Sequence, residues 1–576
     1  MFDKMGEKKY RLRNADKRWW KQNINCLHAC PAHTNVPHYI SLIAEEKFQE
    51  AFNLNRKANV FPAILGRICM HPCETACRRG HIDEPVAICA LKRAAADHKP
   101  EMDRSRTPFF SRNQRRLAIV GAGPAGLTTA DDLARMGYKV TVFEALPVAG
   151  GMLNVGIPPY RLCRTVIQKA IEELEQLGVE IRLNTAVGKA VTLEQLQSRY
   201  HAVLIAAGAH EAVKLNIPGE GLTGVLHGVT FMRKVNLHEQ IPLGLRVAVI
   251  GGGNTAVDCA RSARYLGAEE VTIIYRRTRD EMPVTAEEVA EAEEEGVKVD
   301  LLVSPIRVIG NQEKEVVGLE CIRNRLIEPD DSGRPRPVPI QGSEFVLEVD
   351  TVLPAVSQSP DTSFLPEIFS RSKWGLVEVD PKSLMTNIKG VFAVGDYATG
   401  PRDVISVIAD AHRVSAAIHG FLQGALRAEK GRCFKQTESP HTVDSDFDAL
   451  PRQKMPVVPA KERRKIEAEV QLGFSPETAV IEAKRCLRCD YNIMVDSKRC
   501  ILCAGCVDVC PYGCIQLIPL DEIERDKAGF DLSHIEQGAL LVLDETYCIR
   551  CGLCMRRCPT GAIVMERFEI STPVHS

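Results

Sequence analysis

The sequence lacks any apolar run close to the ~20 residues that a membrane-spanning helix needs. Its N-terminal stretch, MFDKMGEKKYRLRNADKRWW, is polar and has no apolar centre of the kind found in secretory signal peptides. An excess of basic residues is also missing, because the formal net charge is −1 and the isoelectric point is near 6.9. These absences predict a protein without a membrane span and without a nucleic-acid partner.

Cysteine, in contrast, is abundant. The chain has 576 residues, which suggests roughly three to four domains at about 150 residues each, and 21 of its residues are cysteine. So much cysteine without a secretion signal favours metal ligation in a reducing compartment over disulfides. We therefore expect a cytoplasmic protein in which most cysteines bind metal.

Two cysteine runs near the C-terminus share the spacing C-x2-C-x2-C-x3-C-P. The runs are Cys500, Cys503, Cys506 and Cys510, and Cys548, Cys551, Cys554 and Cys558. In two-cluster bacterial ferredoxins, the fourth cysteine of each run ligates the cluster of the other run. The spacing therefore predicts one [4Fe–4S] cluster on Cys500, Cys503, Cys506 and Cys558, and another on Cys548, Cys551, Cys554 and Cys510. The alternatives are a zinc site or disulfides. A protein with two such clusters transfers electrons.

Residues 117–126, LAIVGAGPAG, open a complete βαβ unit with a G-x-G-x-x-G turn. Gly121 permits the tight turn, Gly123 lets the backbone approach a pyrophosphate, and Gly126 lets helix and strand pack closely. Glu144 ends the second strand, where a carboxylate can accept hydrogen bonds from ribose hydroxyls. This unit predicts a dinucleotide site.

A second unit begins at residue 246, and its turn has the form G-x-G-x-x-A. The three positions of this turn are Gly251, Gly253 and Ala256. Its second strand ends in Arg276 and Arg277 instead of an acid, which favours the 2′-phosphate of NADP(H) over NAD(H). The alternative is that both arginines cap the strand or pair with Asp280 and Glu281.

A third element, GVFAVGDYATG at residues 390–400, brings Gly395 and Asp396 to the end of a strand that precedes a helix. In flavoproteins with two dinucleotides, this position contacts the ribityl and phosphate part of the flavin. The first nucleotide unit is thus closed by a distant segment, with the second unit inserted between. That order predicts FAD in the first site and the nicotinamide nucleotide in the second.

Together these motifs resemble the small subunit of glutamate synthase and the flavin half of dihydropyrimidine dehydrogenase, over about residues 20–425. The resemblance is carried by GAGPAGL, GGMLNVGIPPYRL, GGGNTAVDCA, YRRTRDEMP and VFAVGD. It implies that NADPH reduces FAD and that electrons pass through N-terminal [4Fe–4S] clusters to a partner. It also implies that Gly151 and Asn254 bind cofactors.

The N-terminal region supplies six possible ligands, too few for two clusters: Cys26, Cys30, Cys69, Cys73, Cys77 and Cys89. The helix and RCLxC element that opens the family's N-terminal domain is missing before Cys26. A similar element lies at residues 459–490 and contributes Cys486 and Cys489. The alternative for these two cysteines is a zinc pair or free thiols.

The crossing pattern of the family then implies two clusters. One would use Cys486, Cys489, Cys26 and Cys77, and the other Cys30, Cys69, Cys73 and Cys89. Cys89 would replace the Gln or Glu of relatives that aligns near Lys92, or it is simply a buried apolar cysteine. The other five cysteines are interpreted as small buried hydrophobic residues, and they are Cys163, Cys259, Cys321, Cys433 and Cys514.

The predicted fold class is α/β multidomain, with a helical N-terminal iron–sulfur domain, two Rossmann-like domains, one inserted in the other, and a C-terminal α+β bacterial ferredoxin-like domain. The predicted boundaries are 1–110 for the helical domain, 111–225 with 350–425 for the FAD domain, 226–349 for the NADP domain, 426–458 for a linker, 459–490 for the displaced segment and 491–576 for the ferredoxin domain.

These features predict an NADPH-dependent FAD and iron–sulfur oxidoreductase with four [4Fe–4S] clusters and no catalytic side chain, because the cofactors carry the chemistry. Its expected partner is a larger catalytic subunit or a redox protein such as ferredoxin. One alternative is a glutamate synthase small subunit in the strict sense. Another is an electron-wiring subunit with an idle nicotinamide site.

Overall fold

The computed structural model describes residues 23–100, 113–329, 333–424, 433–438, 450–463, 467–524 and 538–571. These residues form two compact units. The cysteine-rich unit contains the described residues of 1–102, 428–455 and 473–576, and the α/β unit contains those of 103–427 and 456–472. No helix in the described ranges is both long enough and apolar enough to cross a membrane.

Parallel strands and their crossover helices build the α/β unit. The strands are β1 (Arg116–Val120), β2 (Lys139–Phe143), β3 (Glu180–Arg182), β4 (Ala202–Ile205), β5 (Glu211–Ala212), β6 (Arg246–Ile250), β7 (Glu270–Tyr275), β8 (Val297–Leu301), β9 (Val303–Gly310), β10 (Val316–Pro329), β11 (Pro335–Pro339), β12 (Phe345–Glu348), β13 (Thr351–Pro354), β14 (Gln358–Ser359) and β15 (Val391–Ala393). The helices are Pro124–Arg135, Met152–Val155, Arg164–Gln176, Leu193–Arg199, Gly228–Asn236, Asn254–Tyr265, Ala286–Glu294, Asp396–Thr399 and Val404–Gln423.

The first sheet of this unit has the order β15-β4-β1-β2-β3, and all its neighbouring strands are parallel. After Arg116, every residue of β1 is buried, as expected of a central strand that helices cover on both faces. The helix after β1 begins with Pro124 in its first turn, where the missing N–H costs nothing. This sheet therefore presents the first glycine turn at the carboxyl ends of its strands.

The second parallel sheet has the order β13-β6-β7-β8, and strands β9 to β12 form a separate antiparallel sheet. The predicted boundary between the NADP and FAD domains at residue 349/350 is wrong, because β13 pairs with β6 from Thr351 to Pro354. The chain returns to the first sheet only beyond the short β5–β14 pair. A buried apolar run such as TVLP can complete either parallel sheet, and its sequence does not say which.

Short helices and two small sheets form the cysteine-rich unit. Its helices are Asn25–Ala29, Val36–Ala44, Phe48–Arg56, Pro62–Ile68, Pro72–Thr75, Ile88–Asp97, Pro476–Lys484, Gly505–Asp508 and Leu553–Arg557. Its strands are β16 (Cys433–Glu438), β17 (Tyr491–Val495), β18 (Ile515–Pro519), β19 (Ala539–Leu543) and β20 (Ile563–Ser571). The strand orders are β16-β20-β17 and β18-β19, all antiparallel.

The predicted linker at 426–458 is in part ordered structure. Strand β16 pairs with β20 from Cys433↔Ser571 to Glu438↔Glu566 and so covers one edge of that strand. A polar stretch can cover a sheet edge through backbone hydrogen bonds alone, so its composition resembles that of a linker.

The predicted displaced segment, residues 459–490, is divided between the two units. Residues 456–472 lie in the α/β unit, where Arg463 pairs with Glu295 at 2.9 Å. The helix Pro476–Lys484 lies in the cysteine-rich unit, and its Ala479 and Ala483 share a core with the N-terminal helices. Only the second part of the segment therefore packs with the N-terminal cysteines.

Candidate functional site

Two cavities in the C-terminal part of the cysteine-rich unit are lined by cysteines from both runs. The first C-terminal set is Cys500, Cys503, Cys506 and Cys558, and these four cysteines line one cavity. The second C-terminal set is Cys510, Cys548, Cys551 and Cys554, and these four cysteines line the other cavity. Each set takes three cysteines from one run and the fourth from the other, which is the arrangement that the spacing predicts.

The cysteines that surround these two cavities suit polynuclear clusters. Within the described ranges, no three His, Cys, Asp or Glu side chains converge on a position for one metal ion. The cysteines found there are also not joined in disulfides. A cluster of four irons and four sulfides needs ligands spread around a volume, and the two C-terminal sets provide such a shell.

Left-handed backbone turns wrap the chain around both cavities in the same way. In the first run, Leu502 and Ala504 have φ values of 52° and 60°. In the second run, Arg550 and Gly552 take the equivalent places with φ values of 58° and 73°. Non-glycine residues adopt this conformation only where the surroundings impose it. The two runs are therefore structural repeats as well as sequence repeats.

Hydrogen bonds from Cys514, which the sequence indicated only as a small buried hydrophobic residue, reach the second C-terminal set. Its backbone N–H donates to Cys510 Sγ at 3.2 Å. Hydrogen bonding by the Cys514 side chain lowers the pKa of Cys510 to about 5 and that of Cys548 to about 6. These two sulfurs are thus stabilised as thiolates, the form that binds metal.

A third cavity lies between the N-terminal helices and the segment that contains Cys486 and Cys489. The four cysteines that line it form the first N-terminal set, namely Cys26, Cys77, Cys486 and Cys489. Burial raises the pKa of Cys486 to about 12. A thiolate at this position therefore needs a metal cation to offset the loss of solvation.

The second N-terminal set is Cys30, Cys69, Cys73 and Cys89. All four sulfurs raise the pKa of Lys92, against the opposing effect of its burial, so they lie around one ammonium group. The Cys89 thiol donates to the carbonyl of Leu65 at 3.3 Å, and Lys92 Nζ donates to the same oxygen at 3.4 Å. Cys89 thus lies on the face of its helix that meets Cys69 and Cys73, as a fourth ligand would.

Two buried arginines lie between the first N-terminal set and the second C-terminal set. Arg78, next to Cys77, and Arg550, next to Cys551, both donate to the backbone carbonyl of Glu545, at 3.0 and 3.4 Å. The sulfurs of Cys489 and Cys548 raise the pKa of Arg550, against the opposing effect of burial. The Arg550 Nη2 atom is buried, and no described residue accepts a hydrogen bond from it. A hydrogen-bond acceptor on a bound cluster would fit beside this atom.

The first glycine turn of the α/β unit leaves space where a diphosphate is expected. A Cβ on Gly121, whose φ is +105°, would lie 2.4 Å from the Ala206 carbonyl oxygen, so only glycine fits. A Cβ on Gly126 would lie 2.0 Å from the oxygen of Gly121. At Gly123, by contrast, a Cβ would meet no atom within 4 Å. The open side of the turn and the helix N-terminus suit a pyrophosphate.

Glu144 and Gly151 lie beside the first glycine turn. Buried Glu144 accepts the backbone N–H groups of Ala122 and Leu146 at 2.7 and 2.8 Å, which places its carboxylate beside the turn. A Cβ on Gly151 would lie 2.8 Å from Gly123 Cα. Burial raises the pKa of Glu144 above its ordinary value.

Residues 390–400, which the sequence predicts to contact FAD, also lie beside the first glycine turn. A Cβ on Gly395 would lie 3.3 Å from Cβ of Ala125, the residue that separates Pro124 from Gly126. Asp396 follows at the start of a short helix, and burial raises its pKa to about 6. A partly buried carboxylate beside a diphosphate site can accept hydrogen bonds from ribityl hydroxyls, so these residues fit FAD.

The second glycine turn has the same construction. A Cβ on Gly251, whose φ is +146°, would lie 2.4 Å from the oxygen of Ala355, whereas a Cβ on Gly253 would meet only Pro283, at 3.7 Å. Asn254 begins the helix Asn254–Tyr265, and Ala256 is fully buried on it. This turn therefore offers a second diphosphate site.

The two arginines at the end of β7 are not equivalent. Arg277 is buried, and its Nε donates to the Pro335 carbonyl at 2.8 Å, so it partly serves to hold β11. Arg276 is exposed at the end of the strand. Arg276 is therefore the better placed of the two to meet a 2′-phosphate.

Family profiles match the regions that contain these sites. Residues 115–415, more than half of the chain, match the pyridine nucleotide-disulphide oxidoreductase profile. Residues 6–104 match the dihydropyrimidine dehydrogenase domain II, 4Fe-4S cluster profile, and residues 499–562 match a 4Fe-4S dicluster domain. The chain therefore belongs to the pyridine nucleotide-disulphide oxidoreductase family and carries 4Fe–4S domains on either side of the family's catalytic body.

Three relatives match this chain over most of their own length. The chain is 43% identical over 510 residues to the NADP(+)-dependent formate dehydrogenase subunit beta of Moorella thermoacetica, covering 81% of this chain and 70% of that protein. It is 40% identical over 513 residues to the NADPH-Fe(3+) oxidoreductase subunit beta of Geobacter sulfurreducens, covering 81% and 75%. It is 33% identical over 427 residues to the glutamate synthase [NADPH] small chain of Azospirillum brasilense, covering 70% and 87%.

These matches confirm the resemblance to the glutamate synthase small subunit, the predicted fold class and the prediction of an oxidoreductase. The protein is an electron-transfer flavin and iron–sulfur oxidoreductase of the class that uses pyridine nucleotides.

Proposed function

We propose that this protein uses NADPH, binds one FAD and four [4Fe–4S] clusters, and exchanges electrons with a partner enzyme subunit or a carrier protein. When bound, FAD converts the electron pair of a hydride into single electrons, which iron–sulfur clusters accept one at a time. The observation that carries the proposal is the grouping of sixteen cysteines into four sets of four, three of which line cavities.

The residues of the chain would bind the cofactors, orient them and shield them from water. The turn at Gly121 and Gly123 would hold the FAD pyrophosphate, with Glu144 on the ribose and Asp396 on the ribityl chain. The turn at Gly251 would hold the diphosphate of NADPH. Partial burial of the four cysteines of the first N-terminal set would limit the access of water to their sulfurs.

Arg276 supports the choice of NADPH over NADH, because an exposed guanidinium at the end of β7 is available to a 2′-phosphate. The names of two relatives agree with this choice, since they include NADP(+) and NADPH. Intact glycines in the second turn weigh against an idle nicotinamide site. A reducing compartment, and hence the cytoplasm, suits a chain with this many cysteine ligands.

The beta-subunit names of those two relatives support a larger partner subunit for this chain as well. A strict glutamate synthase small subunit is the weaker candidate. The match to that relative covers 70% of this chain, against 81% for the two beta subunits, and the C-terminal cysteine runs are unusual for that role.

Flavin bleaching under anaerobic conditions tests this function. NADPH is expected to remove the 450-nm absorbance of bound FAD faster than NADH does, by about tenfold. The Arg276→Ala variant is expected to lose most of that preference while its rate with NADH stays unchanged, and Arg279→Ala, on an exposed neighbouring arginine, serves as the matched control. Faster bleaching by NADH would overturn the assignment of NADPH, and no bleaching by either nucleotide would favour a wiring role.

A further inference from the structure

The rim of the first C-terminal set carries four basic residues. Lys498 and Arg499 immediately precede Cys500, and Arg556 and Arg557 immediately precede Cys558. All four are exposed, and both cysteines line the same cavity. The crossing of the two runs therefore brings two separate basic pairs to one site, in a chain whose formal net charge is −1.

The centre of the same rim is apolar and open. Ile501 is 63% exposed and Leu502 is 45% exposed, and both line the cavity. Cys503 is itself exposed, in contrast to Cys506 of the same set, which is buried. We call Lys498, Arg499, Ile501, Leu502, Arg556 and Arg557, which surround Cys503, the Cys503 surface.

The positions of the arginines are set by contacts with the turns that form the cavity. Arg499 Nη2 donates to the Thr560 carbonyl at 2.8 Å, which holds its guanidinium beside the turn that follows Cys558. A Cβ on Gly505 would lie 3.5 Å from Arg557 Cγ, so the Arg557 side chain crosses the short helix of the other run. The basic rim is therefore part of the cluster-binding fold.

Acidic residues near this surface do not cancel its charge. Asp496 and Asp508 are the exposed carboxylates of the same stretch. Asp496 accepts the Lys498 backbone N–H at 2.9 Å and so serves mainly to shape the turn. Within the described residues 496–508 and 556–560, four basic side chains stand against two acidic ones, so this part of the surface is positive.

We propose that the Cys503 surface is the docking site for an acidic one-electron carrier protein of the ferredoxin kind. An apolar centre inside a charged rim is the usual anatomy of a protein interface, and a small one suits a transient redox contact. Charge complementarity selects the partner, because a positive rim speeds encounters with an acidic protein and repels a basic one. The inference rests on the proposed function and adds to it the class of partner and its place of contact.

The electron balance of the exchange is simple. Oxidation of one NADPH to NADP+ releases one proton and two electrons, which reduce two molecules of a one-electron carrier. In the reverse direction, two reduced carriers and one proton convert NADP+ to NADPH. Each carrier must dissociate before the next one docks, so weak and salt-sensitive binding is expected at this surface.

Binding of a purified acidic single-cluster ferredoxin to the holoenzyme tests the proposal without relying on turnover. At 50 mM salt, the Arg499→Glu/Arg557→Glu variant is expected to raise Kd by about tenfold or more, and 200 mM salt is expected to weaken the wild-type complex by a similar factor. The variant Lys189→Glu/Lys214→Glu, with the same charge change on exposed residues of the α/β unit, is the matched control and should bind as the wild type does. A basic cytochrome c should not bind the wild type.

A milder variant protects the test against misfolding. Lys498→Gln/Arg556→Gln removes two charges without reversing them, and it is expected to raise Kd about threefold with full iron content. The proposal would be overturned if all variants bound the ferredoxin with equal affinity, or if the control variant lost as much affinity as Arg499→Glu/Arg557→Glu. Tighter binding of cytochrome c than of the ferredoxin would also overturn it. NADPH-dependent reduction of benzyl viologen, a small acceptor, separates this outcome from a failure of the proposed function, because the Lys498→Gln/Arg556→Gln variant and the Lys189→Glu/Lys214→Glu control should keep the wild-type rate.

Discussion

The C-terminal and N-terminal cysteine sets are built by the chain in different ways. The C-terminal sets come from two adjacent repeats, each with its own left-handed turns. The first N-terminal set instead joins Cys26 and Cys77 to Cys486 and Cys489, from opposite ends of the sequence. A site made from local spacing requires only its own turns, whereas a site assembled from distant segments requires other interactions to hold those segments together.

The surroundings of the two kinds of set differ as well. Hydrogen bonding from Cys514 lowers the pKa of Cys510 to about 5. Burial raises the pKa of Cys486, in the first N-terminal set, to about 12. Local hydrogen bonds thus prepare only part of the C-terminal shell for metal. Burial raises the pKa of Cys554 in that shell to about 12 as well, so Cys554 and Cys486 both depend on the cluster to become thiolates.

A buried ion-pair network holds the distant segments of the N-terminal sets together. Arg485, whose side chain is fully buried, donates to Glu482 at 2.9 Å, to Asp83 at 3.0 Å and to the carbonyl of Glu84 at 2.7 Å. Glu482 in turn accepts the Ala87 N–H at 2.7 Å. Glu482 and Arg485 therefore fix the helix before Cys486 to the loop between Cys77 and Cys89.

The largest expected effect follows from removing this network. Arg485→Met should lower the free energy of unfolding of the cysteine-rich unit by about 3–5 kcal/mol, because Glu482 would stay buried without its partner. Anaerobic guanidinium unfolding, followed by circular dichroism, measures the change. Arg402→Met removes an exposed pair with Asp410 and should cost about 1 kcal/mol or less. Equal costs in the two variants would mean that the network does not hold the segments.

Single cysteine variants should separate the sets by iron content. The wild type is expected to hold about sixteen iron atoms per chain, and Cys489→Ala and Cys503→Ala should each lose about four. Each variant should keep the clusters of the other sets, which electron paramagnetic resonance of the reduced protein distinguishes. Cys259→Ala changes a buried cysteine of the α/β unit and should keep all the iron. Unchanged iron in Cys489→Ala would refute the first N-terminal set.

The smallest expected effect concerns the charge between the two kinds of set. Arg550→Gln should lower the reduction potential of the clusters nearest to it by on the order of 50 mV, because a lost positive charge makes adding an electron less favourable. A redox titration followed by electron paramagnetic resonance measures the shift, with Arg402→Gln as the control. An increase in the reduction potential, or no change in it, would contradict the position of Arg550 between the sets.

Local patterns predicted the parts of the molecule that depend on short spacing. The cysteine runs and both glycine turns fall where their sequence motifs indicated, because each motif encodes its own backbone geometry. The network of Arg485 was not predicted, since its partners come from chain segments about 400 residues apart. Strand β13 was assigned to the wrong sheet, because burial of its side chains suits either one. The role of Cys514 depends on a tertiary contact that no spacing rule contains.

The cysteines of the first N-terminal set are synthesised at widely separated times. Cys26 and Cys77 leave the ribosome about 400 residues before Cys486, which at typical elongation rates is about 20 to 80 s. During that interval the early cysteines have only half of their final neighbours. Iron delivery to this site must therefore await release of nearly the whole polypeptide, and a product truncated before residue 486 would expose a partial thiol shell to oxidants and scavenging metals.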